Sequence, residues 1–400
     1  MNDTFPARVL PRPVYSPIVK ATADPGMRPL PENSPEKSPE YQPEDPTERA
    51  PGIHVDKLSL AQCRREPSLH ALFDRLEARH PQLGIDWLDI LAMHALDPGE
   101  EPTVLVARDA AGDAVALPLK LASGEAHALG NFYTSLYAPA ASENAGEALW
   151  CALFAHLAGA GVGTLTLSPL RDEAALPGTL QSALEHAGWR GVHRYFCTAN
   201  WTHALGGASW AEYLDSRPSR VKNTVRRRTR QFLADGRGEL QLESGGAALE
   251  QAIGAFTAIY NSSWKRPEPY PEFIPALLRL AGRRDWLRLA IARYDAAPIA
   301  AQAWLVSGGT AHIFKLAYDQ EFAGLSPGTV LTAYLLEHVI ERDGVTRIDY
   351  LSGDDAYKRD WMTERAELLG IAAYNPRTPR GLAGALGHLA KRAVGRMRGG

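Results

Sequence analysis

Cysteine is scarce in this chain: Cys63, Cys151 and Cys197 are the only three in 400 residues, and no two form a Cys-x-x-Cys pair. An odd, scattered set excludes a disulfide framework, fits a reducing compartment and gives no signal for a catalytic thiol. No run of about 18 apolar residues exists for a membrane-spanning helix. The opening MNDTFPARVLPRPVYSPIVK also lacks a secretory apolar core. A cytoplasmic protein is expected, with the inner membrane surface as a possible station. Neither sign of charge prevails, since 43 Lys and Arg face 46 Asp and Glu. A pI near 6.5 argues against a general nucleic-acid binder. The twelve histidines show no His-Glu-x-x-His or comparable ligand spacing, so no metal is expected.

What is present is apolar content of 45%, enough for two cores plus tails at this length. Residues 1–52 are rich in Pro, Glu and Ser and read as disordered. Residues 53–200 read as a first domain. Leu69, Leu72, Phe73 and Leu76 make a helix face, 103–107 and 114–119 a hairpin, and helices over 146–157 and 176–188 flank a strand at 164–167. The segment 130–137, GNFYTSLY, reads as a half-buried strand edge, with the wall of an acceptor pocket as the alternative.

Residues 201–377 read as a second domain in which the same order of helices, hairpin, strand and helix returns. It opens on a basic helix, SRVKNTVRRRTRQFL at 219–233, with Val221, Val225, Phe232 and Leu233 as its buried stripe. Its basic face is either solvated or meets a phosphate-bearing partner: CoA, a nucleotide-linked acceptor, RNA or an anionic membrane surface. A helix at 249–264 leads to Trp264 and Lys265 and a loop whose prolines forbid helix. Alternation in the strand at 299–306 puts Gln302 and Trp304 on one face, a wall for an acyl or acceptor pocket. Residues 378–400 are glycine-rich and basic and read as a flexible tail. A weak amphipathic helix through Leu386, Leu389, Ala390 and Val394, in contact with a membrane surface, is the alternative.

The densest stretch is 314–361, FKLAYDQEFAGLSPGTVLTAYLLEHVIERDGVTRIDYLSGDDAYKRDW, which reads as strand, turn, helix, strand and polar loop, a βαβ unit. In the first strand Phe314, Leu316 and Tyr318 fall on one side and Lys315 on the other. At Leu325-Ser326-Pro327-Gly328-Thr329, Ser326 is the expected N-cap, Pro327 suits the first helical position and Gly328 admits a ligand close to the backbone. The free N–H groups and partial positive charge of such a terminus can hold a phosphate or pyrophosphate. Leu331, Tyr334, Leu335 and Val339 face the sheet, while Thr332, Glu337, Glu341 and Arg342 face water.

These residues resemble the GNAT (Gcn5-related N-acetyltransferase) superfamily. SPGTVL, RIDYLSGDDAYKRDW and the Ser263-Trp264-Lys265 triplet resemble, more narrowly, the cellulose-biosynthesis CelD/BcsL-type group, relatives of the FemAB peptidyltransferases. The turn at 322–329 keeps part of the superfamily's Arg/Gln-x-x-Gly-x-Gly/Ala loop. The resemblance implies a mixed α/β fold of two tandem GNAT-like domains and acetyl-CoA or another acyl-CoA at Leu325, Ser326, Gly328 and Thr329. It further implies Trp264, Lys265, Gln302 and Lys315 around a small-molecule or saccharide acceptor.

Direct N-acyl transfer needs a held thioester, a neutral amine, a donor for the oxyanion and a proton route. Asp349, Asp354 and Asp355 are candidate bases whose crowding would raise one another's pKa. Tyr357 can return a proton to the thiolate and Lys358 can stabilise an oxyanion or fix a substrate anion. A FemAB-like transferase using aminoacyl-tRNA and a non-catalytic module of exopolysaccharide assembly are the alternatives.

Overall fold

Short apolar runs punctuated by Gly, Asp and Pro become strands. The computed structural model describes residues 52–172, 176–263 and 265–398; the disorder expected for the Pro-rich segment up to residue 51, and the role expected of Trp264, lie outside them. The strands are β1 (His54–Leu58), β2 (Glu101–Arg108), β3 (Ala114–Ala122), β4 (Glu125–Ala128), β5 (Ala140–Ala141), β6 (Thr164–Arg171) and β7 (Arg190–Ala204). They continue with β8 (Gly238–Glu243), β9 (Leu287–Tyr294), β10 (Ala297–Ser307), β11 (Thr310–Tyr318), β12 (Arg347–Ser352) and β13 (Glu364–Tyr374). All join one sheet in the order β1-β2-β3-β4-β6-β13-β7-β12-β11-β10-β9-β8, with β5 beside β3.

The sheet is a repeat. β2, β3 and β4 run antiparallel, the Glu147–Gly159 helix crosses over and β6 returns parallel to β4. β9, β10 and β11 do the same, with a helix at Pro327–Glu341 and β12 returning parallel to β11. The closing strands are exchanged: β7 lies on β12, β13 lies on β6, and the two pair with each other from Arg190 to Thr202. The mixed α/β architecture expected from the repeated element order is therefore present as one continuous sheet. The residue pair expected to divide the halves, Asn200 and Trp201, falls inside β7.

Six later helices matter for the site: α1 (Ser219–Leu233), α2 (Leu249–Ser262), α3 (Phe273–Arg283), α4 (Pro327–Glu341), α5 (Ala356–Trp361) and α6 (Pro379–Arg398). α1 and α4 cover one face, where Val225, Phe232, Val330, Leu331 and Leu335 pack with Trp304 and Ile313. α2 and α3 cover the other with the Ile85–His94 helix, packing Phe256, Ile259, Leu277 and Trp87 on Leu289, Ala301 and Ala303. Leu233, expected in the α1 stripe, is exposed because it follows Phe232 by one position, about 100° around the helix, and so points away from the face on which Val221, Val225 and Phe232 are buried. The terminal stretch expected to be flexible is helical through α6. No helix among the described residues is long and apolar enough to cross a membrane.

Candidate functional site

The parallel ladder between β11 and β12 is short: Thr310, Ala311 and His312 pair with Arg347, Ile348 and Asp349, and then the strands part. Two local features open the gap. On β11, Ala303 faces Lys315 while Trp304 faces Ile313, so Phe314 is an extra residue, a bulge that leaves part of the ladder unpaired. On β12, Leu351 has φ 54°, and its N–H donates to Asp349 Oδ1 at 2.8 Å, where the register with β7 also shifts.

A cavity of about 650 Å³ fills the gap, lined by Ile313 to Leu316 on one side and Tyr350 to Ser352 on the other. The bulge sets which side chains point where. The expected alternation of Phe314 against Lys315 fails: Phe314 packs edge-on to Trp87, Lys315 lies over Tyr133 and Tyr260 on the same face, and Leu316 and Tyr318 join the α4 face. The cavity thus has lining residues from both faces of the sheet.

On the α4 face the lining residues include Gln302, Ser326, Gly328 and Thr329, beside Leu316 and Tyr318. Ser326 takes the N-cap position, but in the left-handed conformation (φ 55°, ψ 45°) and without a side-chain cap bond, which corrects the expected capping role. Gly328 and Thr329 belong to the first turn, where backbone N–H groups have no intrahelical acceptor. Gln302 is 1% exposed. It donates to Gly328 O at 2.8 Å and to Thr332 Oγ1 at 2.9 Å, and accepts from Trp304 Nε1 at 2.9 Å, so it fixes the turn as well as lining it. Thr332, expected to face water, is buried in this network and also meets the Tyr357 hydroxyl at 3.2 Å. Leu325 is partly buried against the core and absent from the lining.

On the opposite face Lys315 forms an ion pair with Glu268 at 2.7 Å, and Tyr133 donates to the same carboxylate. Burial works to raise the Glu268 carboxyl, but Lys315, Tyr133 and Tyr260 hold it below the usual value. Lys265 lies 5.4 Å over the Tyr260 ring; burial, then the nearby Lys315, brings its ammonium down to about 8. The 130–137 segment is a loop, not a strand edge, and contributes Phe132, Tyr133 and Ser135 to the cavity. Tyr133 enters from sequence only through the acceptor-wall alternative for 130–137, and sequence does not single out Glu268 and Tyr260 for the site: Glu268 and Tyr133 stand 135 positions apart, and nothing local marks their meeting.

The three aspartates separate. Asp355 lines the cavity with Tyr357 and Lys358, whose ammonium donates to Ser352 O. Tyr357 is 38% exposed as a residue, but its hydroxyl is withdrawn from solvent, which raises its pKa and keeps it a proton donor well into the alkaline range. Asp354 instead accepts from Trp201 Nε1 at 2.9 Å and from Arg365 at 2.9 and 3.1 Å, bonds that lower its pKa. Asp349 is 2% exposed and lies outside the lining. It accepts from Asn200 at 2.6 Å and lies 3.5 Å from Arg171 and 3.6 Å from His312. Burial works to raise Asp349, but His312, His80 and Asn200 hold it well below the ordinary carboxylate range. Mutual elevation of the carboxylates is therefore corrected, because Asp349 and Asp354 each have cationic or N–H partners that outweigh their neighbours' charge.

His80, His312 and Asp349 bring potential ligand atoms within 4.8 Å of one another. The Gln82 N–H, however, donates to His80 Nδ1 at 3.2 Å, which leaves the ring proton on Nε2 and no lone pair there for a metal. This cluster braces the β12 kink. Replacing Asp349 by alanine is expected to cost about 3–5 kcal/mol of stability, read as a lower denaturation midpoint. Because the folded carboxyl titrates below its unfolded value of about 3.9, its contribution is complete above that pH and lost as pH falls through the folded pKa. The gap between wild type and Asp349→Ala should therefore narrow in acid.

Residues 219–359, from α1 to α5, match the family described as an acetyltransferase (GNAT) domain. No curated protein matches the chain. A conserved Bacteroides thetaiotaomicron protein of unknown function is similar at 11% identity and TM-score 0.53, over 80% of this chain and 99% of that one. The C-terminal domain of a putative lysylphosphatidylglycerol synthetase from Agrobacterium fabrum is similar at 12% identity and TM-score 0.51, over 81% and 95%. FemX is similar at 10% identity and TM-score 0.51, over 81% and 98%. At such identities the likeness is one of fold.

Proposed function

We propose that the GNAT acyltransferase domain carried by residues 219–359 moves an acyl group directly from acyl-CoA to the amine or hydroxyl of a polar acceptor. The observation that carries this reading is the gap between β11 and β12, with an open helix N-terminus on one face and a wall of lysines and aromatic rings on the other. The first turn of α4 would take the pyrophosphate and the gap would take the thioester. Backbone N–H groups freed by the Phe314 bulge would face the developing oxyanion. Asp355 would draw the acceptor proton, directly or through water, and Tyr357 would return one to the departing thiolate. A sugar or envelope-polysaccharide precursor is the acceptor class that the CelD/BcsL resemblance favours. Lys265 and Lys315 suit an acidic group on it. The test is calorimetric titration of the whole chain with acetyl-CoA. Binding at about micromolar Kd is expected; no binding of acetyl-CoA or longer acyl-CoAs would sink the reading.

One observation favours a second reading. α1 packs against α4 and the Gln320–Leu325 turn before it, and presents Arg226, Arg227 and Arg230 outward beside a fold similar to FemX. A FemAB-like transferase would use this face to hold aminoacyl-tRNA. Its binding would then weaken steeply with salt, the logarithmic slope being about −0.7 to −0.9 per phosphate contacted.

A further inference from the structure

Nine large apolar side chains are exposed among the described residues, and four of them, Leu382, Leu386, Leu389 and Val394, stand on α6. Leu382, Leu386 and Leu389 follow one another at i, i+4 and i+7, so they make one stripe along the helix. The opposite side of α6 is what fastens it to the protein. Ala385 is 5% exposed, Gly381 and Gly384 come so close to Asn375 and Tyr374 that a methyl group would clash, and His388 stacks on His193 at 4.0 Å. The leucines are thus not core residues left loose; the helix is seated by its small residues and its large ones point away.

Charge says what covers them. The 379–398 segment holds Arg380, Lys391, Arg392, Arg396 and Arg398 and no acidic residue. Arg380 is engaged with Glu125 at 3.1 Å, while Lys391 and Arg392 are exposed. An apolar stripe with cations and no anions, on a helix lying along the protein, is the pattern that sits in the interface of an anionic bilayer. We propose that α6 docks this enzyme on a membrane surface bearing anionic phospholipid, with Leu382, Leu386 and Leu389 inserted among the acyl chains and Lys391 and Arg392 at the headgroups. The stripe is a separate surface from the cavity and does not rest on the acyl-CoA reading.

The test is flotation of the full chain with vesicles of phosphatidylcholine alone or with about a quarter phosphatidylglycerol. Capture by the anionic vesicles, weakened by salt, is expected. It should fall about tenfold or more in Leu386→Ser/Leu389→Ser, and likewise in Lys391→Glu/Arg392→Glu. Both variants change only exposed side chains, and unchanged thermal midpoints would show that they fold. Equal capture by both vesicle types, or capture indifferent to the leucines, would overturn the proposal. So would a dimer in light scattering that Leu386→Ser/Leu389→Ser converts to monomer, since a second copy would then be what covers the stripe.

Discussion

Placing tryptophan at Gly328 should abolish acetyl-CoA binding, with Kd rising by about a hundredfold or more, equivalent to at least about 2.7 kcal/mol. A Cβ at this position would sit 3.5 Å from Tyr318 Cδ1, an ordinary contact, so Gly328→Ala should bind acetyl-CoA within a few-fold of wild type. An indole has no room between Tyr318 and the first turn of α4 except in the cavity that both residues line. The Gln302 bonds to Gly328 O and Thr332 involve backbone and neighbouring atoms, so the helix start itself should survive. Calorimetry on wild type, Gly328→Ala and Gly328→Trp, with thermal unfolding of each, checks this. Undiminished binding by the folded tryptophan variant would place the donor elsewhere.

Tyr357→Phe should lower kcat by about 10²–10⁴-fold with KM for acyl-CoA little changed. The hydroxyl is tied to Thr332 Oγ1, its ring stands perpendicular to Tyr350 at 6.1 Å, and withdrawal of the hydroxyl from solvent raises its pKa. Removing one oxygen would therefore remove the proposed proton source while leaving the ring where it packs. A group whose pKa is raised stays in its acid form until pH rises through that raised value, so wild-type kcat should hold on the alkaline side longer than an ordinary tyrosine would allow. If kcat is kept and only stability falls, Tyr357 is a packing residue and the thiolate is protonated from elsewhere.

Much of the α4 side of the cavity was legible in the sequence because it is local. Pro327 and Gly328 mark a helix start, the 3.6-residue period marks the face that α4 buries, and a strand, helix and strand in succession return parallel. Those signals span only a few dozen residues and bring Gly328, Thr329, Asp355, Tyr357 and Lys358 around one cavity. The opposite side was legible only in part: Lys265, Lys315 and the 130–137 segment are pocket candidates by sequence and line the cavity, but Glu268, which ties them together, is not such a candidate. Glu268, on a loop, is held by Lys315 from β11 and by Tyr133 from the other half of the chain.

Local pattern was enough for the mixed α/β class, the repeated order of elements and the position of the glycine-containing turn that opens α4, since periodicity and turn residues act over neighbouring positions. The exchange of β7 and β13, the inward turn of Asp349 to Asn200 and His312 while Asp355 lines the cavity, and the shared face of Phe314 and Lys315 arise only once the chain is folded. A period of two cannot announce a bulge, and one aspartate looks like another until distant partners bury it. Which of them stays available for chemistry depends on where those partners lie in space.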